Sequence, residues 1–498
     1  MNLIIQNHTF QYEIEKLVRV FYPHTKITVT REANGDPDLI LTAMQPLSDG
    51  AKLFVKAALV QKELQKESTV CFADVLDNES ETDFLERKLV LLLFHLLREL
   101  TGYTPPWGIL TGVRPAKLMS RLIRDWGEEK AAAYFCDELL VTKEKTALAC
   151  AVAKAEAPIL ASSRPESFSL YISIPFCPSR CSYCSFVSHS NDRAKKLIPG
   201  YMEHLLREIA QTGALANQLG LRLESIYIGG GTPTALEAQD ITRITDCIRA
   251  HFDFFHLREY TIEAGRPDSV TKEKLLAIRN GGATRISINP QTFNDAVLRE
   301  IGRKHTSAQT LDAMHLAREL GFDNINMDLI AGLPTDTVES FQKTLETTLA
   351  LSPENITVHT LALKRAATLV TEQLPIGDAA QTQQMLLLAA DALTAAGYAP
   401  YYMYRQSNCI GNLENVGWAK KDRACLYNVY MMEECHTVLA CGAGAVTKLC
   451  VPNSNNVERI FNFKYPYEYI DRFEELMARK DRVGEFYGQI NGAEKLRE

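Results

Sequence analysis

Hydrophobic and polar positions follow two different patterns along this chain of 498 residues. In the first part, short strand-like apolar runs precede a strongly apolar helix predicted at 82–100, which ends before Gly102. A mixed order of strands and helices predicts a separate N-terminal α+β domain over residues 1–165. The stretch around Pro158 is rich in Pro and Ser and predicts the join to the next domain.

From Ser169 onward the pattern changes to regular alternation of strands and helices. Six strands are predicted, at 169–174, 224–229, 259–264, 284–289, 324–330 and 355–361. Six successive β-α repeats predict a parallel sheet with helices outside and right-handed crossovers. The fold class is therefore predicted as α/β, with a partial (β/α)6 barrel over 166–378 and a smaller C-terminal cap domain over 379–498.

Three cysteines follow the first of these strands in the run YISIPFCPSRCSYCSF. They have the spacing C-x3-C-x2-C and are Cys177, Cys181 and Cys184. Three thiolates on one loop are suited to holding three irons of a four-iron cluster, which leaves the fourth iron open for another ligand. A structural zinc site usually has four protein ligands, so the alternative of zinc here requires a fourth ligand such as His189.

A glycine run follows the second strand of the predicted barrel. Because glycine has no side chain, Gly229, Gly230 and Gly231 allow backbone groups to approach a ligand closely. A tight turn is the commoner cause of such a run. Its position one β-α unit after the cysteines favours a site, because chemistry collects on the loops at the carboxyl ends of parallel strands.

Composition and charge restrict the partners of the chain. The formal net charge of −7 gives no general attraction for nucleic acid, so no nucleic-acid partner is expected. No stretch approaches the ~20 apolar residues that span a bilayer, and the N-terminal sequence does not read as a signal peptide. Most of the twelve cysteines lack paired spacing, which predicts a reducing, cytoplasmic location.

The cysteine spacing resembles that of the radical S-adenosylmethionine (radical SAM) superfamily, in which SAM binds the open iron. Further matches make the chain similar to the oxygen-independent coproporphyrinogen III oxidases, also called coproporphyrinogen dehydrogenases, and to their HemZ branch. The resemblance extends from about Ser169 to the C-terminus, and the N-terminal domain fits that branch alone. It implies two cofactors, SAM and a [4Fe-4S] cluster held by the three cysteines.

The resemblance also implies roles for single residues. It places the glycine run against the SAM amino group and Glu263 on the ribose, where a carboxylate accepts hydrogen bonds from two hydroxyls. Arg303 is expected to bind the SAM carboxylate, and Tyr171 is expected to pack beside the cofactor; these two are the candidate catalytic residues. The other cofactor-binding candidates are Tyr183, Gly230, Gly231, Thr232, Gln291 and Asp328.

Two positions bear on how far the likeness extends. Phe186 stands where the well-studied branch has a further cysteine, so the proton-transfer role of that cysteine is not carried over. Tyr183 matches one position that contributes to a second SAM molecule in those relatives. The late cysteines are predicted to be buried free thiols: Cys409, Cys425, Cys435, Cys441 and Cys450.

The implied activity is oxidative decarboxylation of two propionates of coproporphyrinogen III to vinyl groups, which gives protoporphyrinogen IX. It requires a low-potential electron donor such as flavodoxin or ferredoxin. A tetrapyrrole with four propionates needs cations and flat apolar surfaces. The candidates are Arg303, Lys304, His305, Lys364, Arg365, Arg405, Tyr401, Tyr402 and Tyr404, with core packing favoured for at least one tyrosine. A haem-binding chaperone and a radical SAM haem-degrading methyltransferase stay open, because they share the cofactor motifs.

Overall fold

The structure is a computed structural model, and it describes residues 1–23, 25–59, 62–76, 79–184, 189–190, 196–364, 367–371, 377–406, 408–451, 454 and 456–495. It contains two compact units. One consists of Met1–Cys150 and Arg405–Leu413, and the other of Ala151–Tyr404 and Glu414–Glu498. Both later predicted domains thus fall mainly in the second unit, and the boundaries near 165 and 378 stay predictions.

The first unit contains a five-stranded sheet. Its strands are β1 (Asn2–Gln6), β2 (Thr28–Thr30), β3 (Leu39–Leu47), β4 (Gly50–Leu59) and β5 (Lys62–Cys71), in the order β2-β1-β3-β4-β5. Strand β1 is parallel to both its neighbours, whereas β3, β4 and β5 form an antiparallel meander. Alternate residues of β4, such as Leu53 and Val55, are fully buried. An α+β architecture in this part of the chain agrees with the prediction.

The helices of this part of the chain are α1 (Gln11–Phe21), α2 (Glu81–Thr101), α3 (Pro115–Trp126), α4 (Glu128–Ala133) and α5 (Lys143–Ser162). Helix α2 confirms the predicted apolar helix. The Ser80 side chain accepts a hydrogen bond from Asp83 N at its start, and Gly102 ends it with φ 70°. Pro158, in the first half of the predicted join, lies within α5, which continues to Ser162.

The second unit is built on an eleven-stranded sheet. Its first strands are β6 (Ser167–Ile174), β9 (Arg222–Gly230), β10 (Glu259–Gly265), β11 (Arg285–Ile288), β12 (Ile325–Ala331) and β13 (Asn355–Thr360). Two short strands, β7 (Phe176–Cys177) and β8 (His189–Ser190), form a separate parallel pair. The six long strands lie side by side in chain order and are all parallel, which confirms the predicted β-α repeats.

The C-terminal region extends this sheet at both edges, a role that the cap prediction did not include. Strand β15 (Glu414–Ala419) pairs antiparallel with β13, and β16 (Thr437–Cys441) pairs parallel with β6. The outer strands are β14 (Ala399–Arg405), β17 (Val446–Cys450) and β18 (Val457–Phe461).

Helices of varied length connect these strands. They are α6 (Ile198–Gln218), α7 (Ala238–His251), α8 (Lys272–Asn280), α9 (Asp295–Glu300), α10 (Ser307–Glu319), α11 (Val338–Leu351), α12 (Thr368–Thr371), α13 (Ala379–Ala395), α14 (Leu426–Glu433), α15 (Pro466–Asp471) and α16 (Phe473–Lys495). None of the helices in the described ranges is long and apolar enough to cross a membrane.

Alternation along the strands positions the candidate site. Successive side chains of a strand point to opposite faces of the sheet. Ile226 and Ile262 are buried in the main hydrophobic core that the outer helices share. The next residues on the same two strands, Tyr227 and Glu263, therefore point to the opposite face. Polar and aromatic side chains gather on that face.

Candidate active site

The cysteine loop begins where β7 ends. Cys177 is the last residue of β7, Cys181 is buried, and the backbone N–H of Cys184 donates to Cys181 O at 3.1 Å. The turn after α9 holds the loop, since Ser182 N donates to Ile301 O at 3.0 Å. None of the three cysteines forms a disulfide within the described residues. The loop therefore offers three thiolate ligands within eight residues of chain.

The donor set of the loop is three thiolates, the ligand type of iron–sulfur clusters. Within the described residues, no three His, Cys, Asp or Glu side chains are placed to hold one metal ion. A four-iron cluster makes a different demand, because each cysteine ligates a different iron and the sulfur atoms need not meet at one point. The side chain of His189, the fourth ligand of the zinc alternative, and residue Phe186 lie outside what the structure describes.

The glycine run lies against the cysteine loop. Gly231 N donates to Ile174 O, and Thr232 N donates to Phe176 O, both at 2.8 Å. A Cβ atom on Gly231 would stand 2.6 Å from Phe176 O and 3.0 Å from the Cys177 Sγ, so no larger residue fits there. Two features that are far apart in the sequence, at 177–184 and 229–231, thus meet at the carboxyl ends of β6 and β9.

Glu263 is a partly buried carboxylate with one neutral hydrogen-bond donor. Its Oε1 accepts from the Tyr227 hydroxyl at 2.5 Å. Burial raises the pKa of Glu263 to about 7, against the hydrogen bond from Tyr227, which lowers it. A Cβ on Gly229 would lie 2.9 Å from Glu263 Oε1, so the first glycine of the run leaves space for this carboxylate.

Tyr171 belongs to a group of stacked tyrosines beside Glu263. Its ring centroid lies 6.3 Å from that of Tyr227 and 6.0 Å from that of Tyr427, and the latter two rings stack at 4.5 Å. Burial raises the pKa of the Tyr171 hydroxyl above its ordinary value, so it is a neutral group at physiological pH. The stacked rings form a flat aromatic surface on the face of the sheet where the cofactor is predicted to bind.

Gln291, which follows the end of β11, lies beside the middle of β12, where Asp328 stands. Gln291 has φ 68°, which is uncommon for a residue with a side chain. Its N–H donates to Asp328 O at 2.9 Å, and its O accepts from Ile330 N at 3.0 Å. Burial alone would raise the pKa of Asp328, but His359, whose Nε2 lies 3.8 Å from Oδ1, and the hydrogen bond from Asn326 Nδ2 at 2.8 Å bring it below the ordinary value. Asp328 is therefore a fixed anion.

Arg303 reaches the cysteine loop from the turn after α9. Its Nη2 donates to the Tyr183 hydroxyl at 3.1 Å and its Nη1 to Asn289 O at 2.9 Å. Its buried Nε has no hydrogen-bond partner in the described chain. Burial opposes the charge, but neighbouring Tyr183 and Cys181 raise the pKa of the guanidinium above its ordinary value. Arg303 thus brings a permanent positive charge to the cysteine loop.

Comparison with known proteins decides the family of the chain. The model of the radical SAM superfamily matches residues 171–348. The chain is 32% identical over 474 residues to the oxygen-independent coproporphyrinogen-III oxidase-like protein HemZ of Bacillus subtilis, and the match covers 94% of each chain. The chain belongs to this radical SAM family. Its cofactors are accordingly a [4Fe-4S] cluster and SAM.

Two further proteins are similar to the chain over shorter stretches. The haem chaperone HemW of Haemophilus influenzae is 32% identical over 328 residues, which cover 64% of this chain and 81% of HemW. The coproporphyrinogen III oxidase HemN of Escherichia coli superposes with a TM-score of 0.51 and 24% identity, over 65% of this chain and 72% of HemN. The HemN likeness shows a shared fold.

Several candidates for binding the substrate have other contacts. The Arg405 guanidinium lies in the first unit, where it donates to the carbonyls of Leu110 and Asn412 and stands 5.4 Å from the Trp107 ring. These contacts contradict the substrate role predicted for Arg405. Tyr401 and Tyr402 are buried in an apolar cluster, which confirms core packing. Arg365 lies outside the described residues.

The remaining histidine and cysteine candidates are mostly core residues. His305 is buried, and burial followed by the charge of Arg303 lowers its pKa to about 4. Cys409, Cys425 and Cys441 are buried and form no disulfide within the described residues, in agreement with the prediction. Cys435 is exposed, so the prediction is wrong for that residue, and Cys450 is of intermediate exposure.

Sequence reasoning missed two residues that contact the predicted site. Tyr227 hydrogen-bonds Glu263, and Arg266 hydrogen-bonds Ser179 inside the cysteine loop. The alternation of β9, which puts Tyr227 on the same face as Gly229, indicates the first of them. Arg266 follows Glu263 by three residues, and its contact links segments 87 residues apart, so no local pattern indicates it.

Proposed function

We propose that this chain catalyses the oxidative decarboxylation of two propionates of coproporphyrinogen III, giving protoporphyrinogen IX in anaerobic haem biosynthesis. The observation that carries the proposal is the meeting of the cysteine loop, the glycine run and Glu263 at neighbouring strand ends. The likeness to HemZ over 94% of both chains, including the first unit, supports this activity among those of the superfamily.

The residues present fit both cofactors. Cys177, Cys181 and Cys184 would hold three irons, and the glycine run would receive the SAM amino group through backbone groups. When bound, the reduced cluster and SAM supply a carbon radical that removes hydrogen from unactivated carbon. The chain itself orients the groups and excludes water, which controls the yield through distance.

Glu263 is suited to the SAM ribose. Tyr227 occupies Oε1, and the second oxygen keeps its accepting capacity for a ribose hydroxyl. The Nε of Arg303 has no protein partner in the described chain, and the guanidinium would meet the SAM carboxylate. The backbone bonds between Gln291 and β12 fix the segment after β11 beside it. Tyr171 would pack against the cofactor through its stacked ring.

The reaction balances with a one-electron acceptor. At each propionate one hydrogen atom leaves the β-carbon, the bond to the carboxylate breaks and releases carbon dioxide, and one electron passes to the acceptor. A vinyl group remains. A low-potential donor protein such as flavodoxin or ferredoxin would supply the electron that starts each turnover. The cysteine pattern supports a reducing, cytoplasmic setting.

A haem-binding chaperone is the second candidate function. The match to HemW covers 81% of that chaperone, and it includes the region of the cofactor motifs. A chaperone would bind haem tightly and would give no vinyl product.

The test is an anaerobic assay of the full chain reconstituted with iron and sulfide. With SAM, a reductant and coproporphyrinogen III, we expect protoporphyrinogen IX and 5′-deoxyadenosine, and the Cys181→Ala variant should give neither. Deoxyadenosine without decarboxylation would contradict the proposal. Tight haem binding without a vinyl product would favour the chaperone.

A further inference from the structure

Arg266 links the strand that carries Glu263 to the cysteine loop. It follows β10 directly, and the residue is 4% exposed. Its Nη1 donates to both Ser179 Oγ at 2.7 Å and Ser179 O at 3.1 Å. Ser179 lies between Cys177 and Cys181, so the guanidinium is hydrogen-bonded to the segment that separates the first two cysteines.

Asp268 fixes the orientation of this guanidinium. Arg266 Nε donates to Asp268 Oδ1 at 3.0 Å, and Nη2 donates to Oδ2 at 2.8 Å. Two parallel bonds of this kind set the plane of an arginine and are stronger than neutral hydrogen bonds. With Nε and Nη2 occupied, Nη1 remains for the loop. Asp268 therefore holds the Arg266 guanidinium in one orientation, with Nη1 directed at Ser179. The contact of Arg266 with Asp268 and Ser179 is called the clamp below.

One other charged group contacts the loop among the described residues: Arg303 Nη2 donates to the hydroxyl of Tyr183, between Cys181 and Cys184, at 3.1 Å. Two further contacts come from the turn after α9. Ser182 N donates to Ile301 O at 3.0 Å, and Ser179 Oγ also lies 3.4 Å from Gly302 O. Neither contact involves a charged group. Because a short loop that carries ligands loses conformational entropy when it is ordered, a charged clamp can lower the cost of holding two thiolates at cluster spacing.

We propose that Arg266 is a positioning residue that fixes the relative placement of Cys177 and Cys181 for cluster binding. This inference depends on the proposed ligation of the cluster by the three cysteines. Glu263 lies near the carboxyl end of β10, and Arg266 directly follows that strand. The clamp therefore also connects the cysteine loop to the carboxylate proposed for the SAM ribose.

The experiment compares Arg266→Gln with a matched variant, Arg318→Gln, in the full chain reconstituted anaerobically. Arg318 makes the same two-pronged contact, with Glu354 at 3.0 and 3.1 Å, and no recorded contact of Arg318 reaches the cysteine loop. The readouts are iron per chain, the EPR spectrum of the reduced cluster and the lifetime of the brown colour in air, all without substrate.

We expect Arg266→Gln to weaken cluster retention about 10-fold and to change the EPR spectrum. Arg318→Gln should leave both unchanged even if it unfolds at a lower temperature. Arg266→Lys, which keeps the charge and a donor, should recover part of the retention. A cluster in Arg266→Gln with wild-type iron content, lifetime and spectrum would overturn the inference.

A milder change keeps the test decisive if Arg266→Gln fails to fold. Ser179→Ala removes the hydroxyl that accepts the 2.7 Å bond and leaves Asp268 with its partner. It should shorten the lifetime of the colour in the same direction and by a smaller factor, and an unchanged lifetime would count against the clamp. Retention of the cluster by Cys181→Ala would instead contradict the proposed ligation, so the two failures are distinguishable.

Discussion

Two glutamates of strand β10 show how the two ends of the sheet differ. Glu259, at the amino end, accepts hydrogen bonds from the N–H groups of Leu426 at 3.0 Å and Tyr427 at 3.2 Å, and faces Arg285 at 3.4 Å. Glu263, four residues later, accepts a hydrogen bond from Tyr227 and has no ion pair within the described chain. One carboxylate is neutralised by its own protein, and the other keeps capacity for a ligand.

The carboxylate of Glu224 repeats the pattern at the amino end. It accepts from the Arg258 Nη1 at 3.2 Å and from the Ser167 hydroxyl at 2.6 Å. Buried charges that are paired in this way stabilise one arrangement of the fold. A desolvated carboxylate without a cation, such as Glu263, costs free energy until a ligand meets it, so the carboxyl end is where function is expected.

The largest expected difference between the ends concerns two buried cysteines. Cys181→Ala removes a proposed cluster ligand, so the reconstituted protein should lose its brown colour and most of its iron. Cys425→Ala removes a thiol at the amino end, where Cys425 donates to Glu259 at 3.2 Å. That variant should keep the colour. Visible absorption and iron analysis check both, and a coloured Cys181→Ala protein would contradict the ligand assignment.

The two glutamates should respond in opposite ways to replacement by Gln. Glu259→Gln breaks a buried ion pair and should lower the free energy of unfolding by about 3 kcal/mol. Glu263→Gln removes a partly buried charge that has no ion pair in the described chain, and it should leave the cofactor-free protein at least as stable near neutral pH.

For SAM affinity, the substitution with the larger effect should be Glu263→Gln rather than Glu259→Gln. Glu263→Gln should weaken SAM binding by about 10-fold or more, because a hydrogen bond to a charged group is lost. Glu259→Gln should bind SAM normally when folded. Urea unfolding and calorimetric titration of the reconstituted protein measure the two effects. Equal loss of SAM affinity in both variants would remove the distinction between the ends.

The pH dependence follows from the raised pKa of Glu263. The folded value of about 7 lies above the ordinary value of 4.5, so the unfolded chain releases this proton first. Glu263 therefore contributes most to stability below about pH 4.5. Its contribution falls as the pH rises from about 4.5 to about 7 and is constant above about pH 7. SAM binding, which needs the carboxylate, should strengthen as the pH rises through about 7.

Glu263→Gln should abolish both trends, and Glu259→Gln should keep them. The measurement is the free energy of unfolding of cofactor-free protein, with SAM affinity in parallel, between about pH 5 and 8. A wild-type profile that matches that of Glu263→Gln would show that this carboxyl does not titrate in the window.

The smallest expected effect is that of Tyr227→Phe. It removes the hydroxyl that orients Glu263 and keeps the stacked ring, so SAM affinity should fall about fivefold, as expected for one hydrogen bond. Tyr427→Phe makes the same change in the ring stacked 4.5 Å away, where no bond to Glu263 is recorded, and should have little effect. If both variants lost SAM affinity equally, the loss would come from the stacked rings and not from the hydrogen bond to Glu263.

Local patterns predicted much of this architecture. The six parallel strands were predictable because each is a short buried run followed by a helix of clear periodicity. The cysteine loop and glycine run were predictable because single residue types at fixed spacing carry their chemistry. Their meeting followed from topology, since the carboxyl ends of neighbouring parallel strands share one edge.

Contacts between distant segments were not predictable from one sequence. The pairing of β16 with β6 joins Cys441 to Ile172, and nothing in either segment specifies the other. The same holds for Arg266 and Ser179. Arg405 was misassigned because an arginine beside tyrosines suggests a ligand, whereas its partners are backbone carbonyls, which have no sequence signature.

The central claim is that three cysteines bind a four-iron cluster and leave one iron for SAM. Mössbauer spectroscopy of protein reconstituted with ⁵⁷Fe tests it most directly, with and without SAM. We predict that SAM makes one iron in four distinct, with the isomer shift of nitrogen and oxygen coordination, while three irons keep their thiolate character. Four irons that stay equivalent when SAM is added, or a zinc ion in place of iron, would contradict the account.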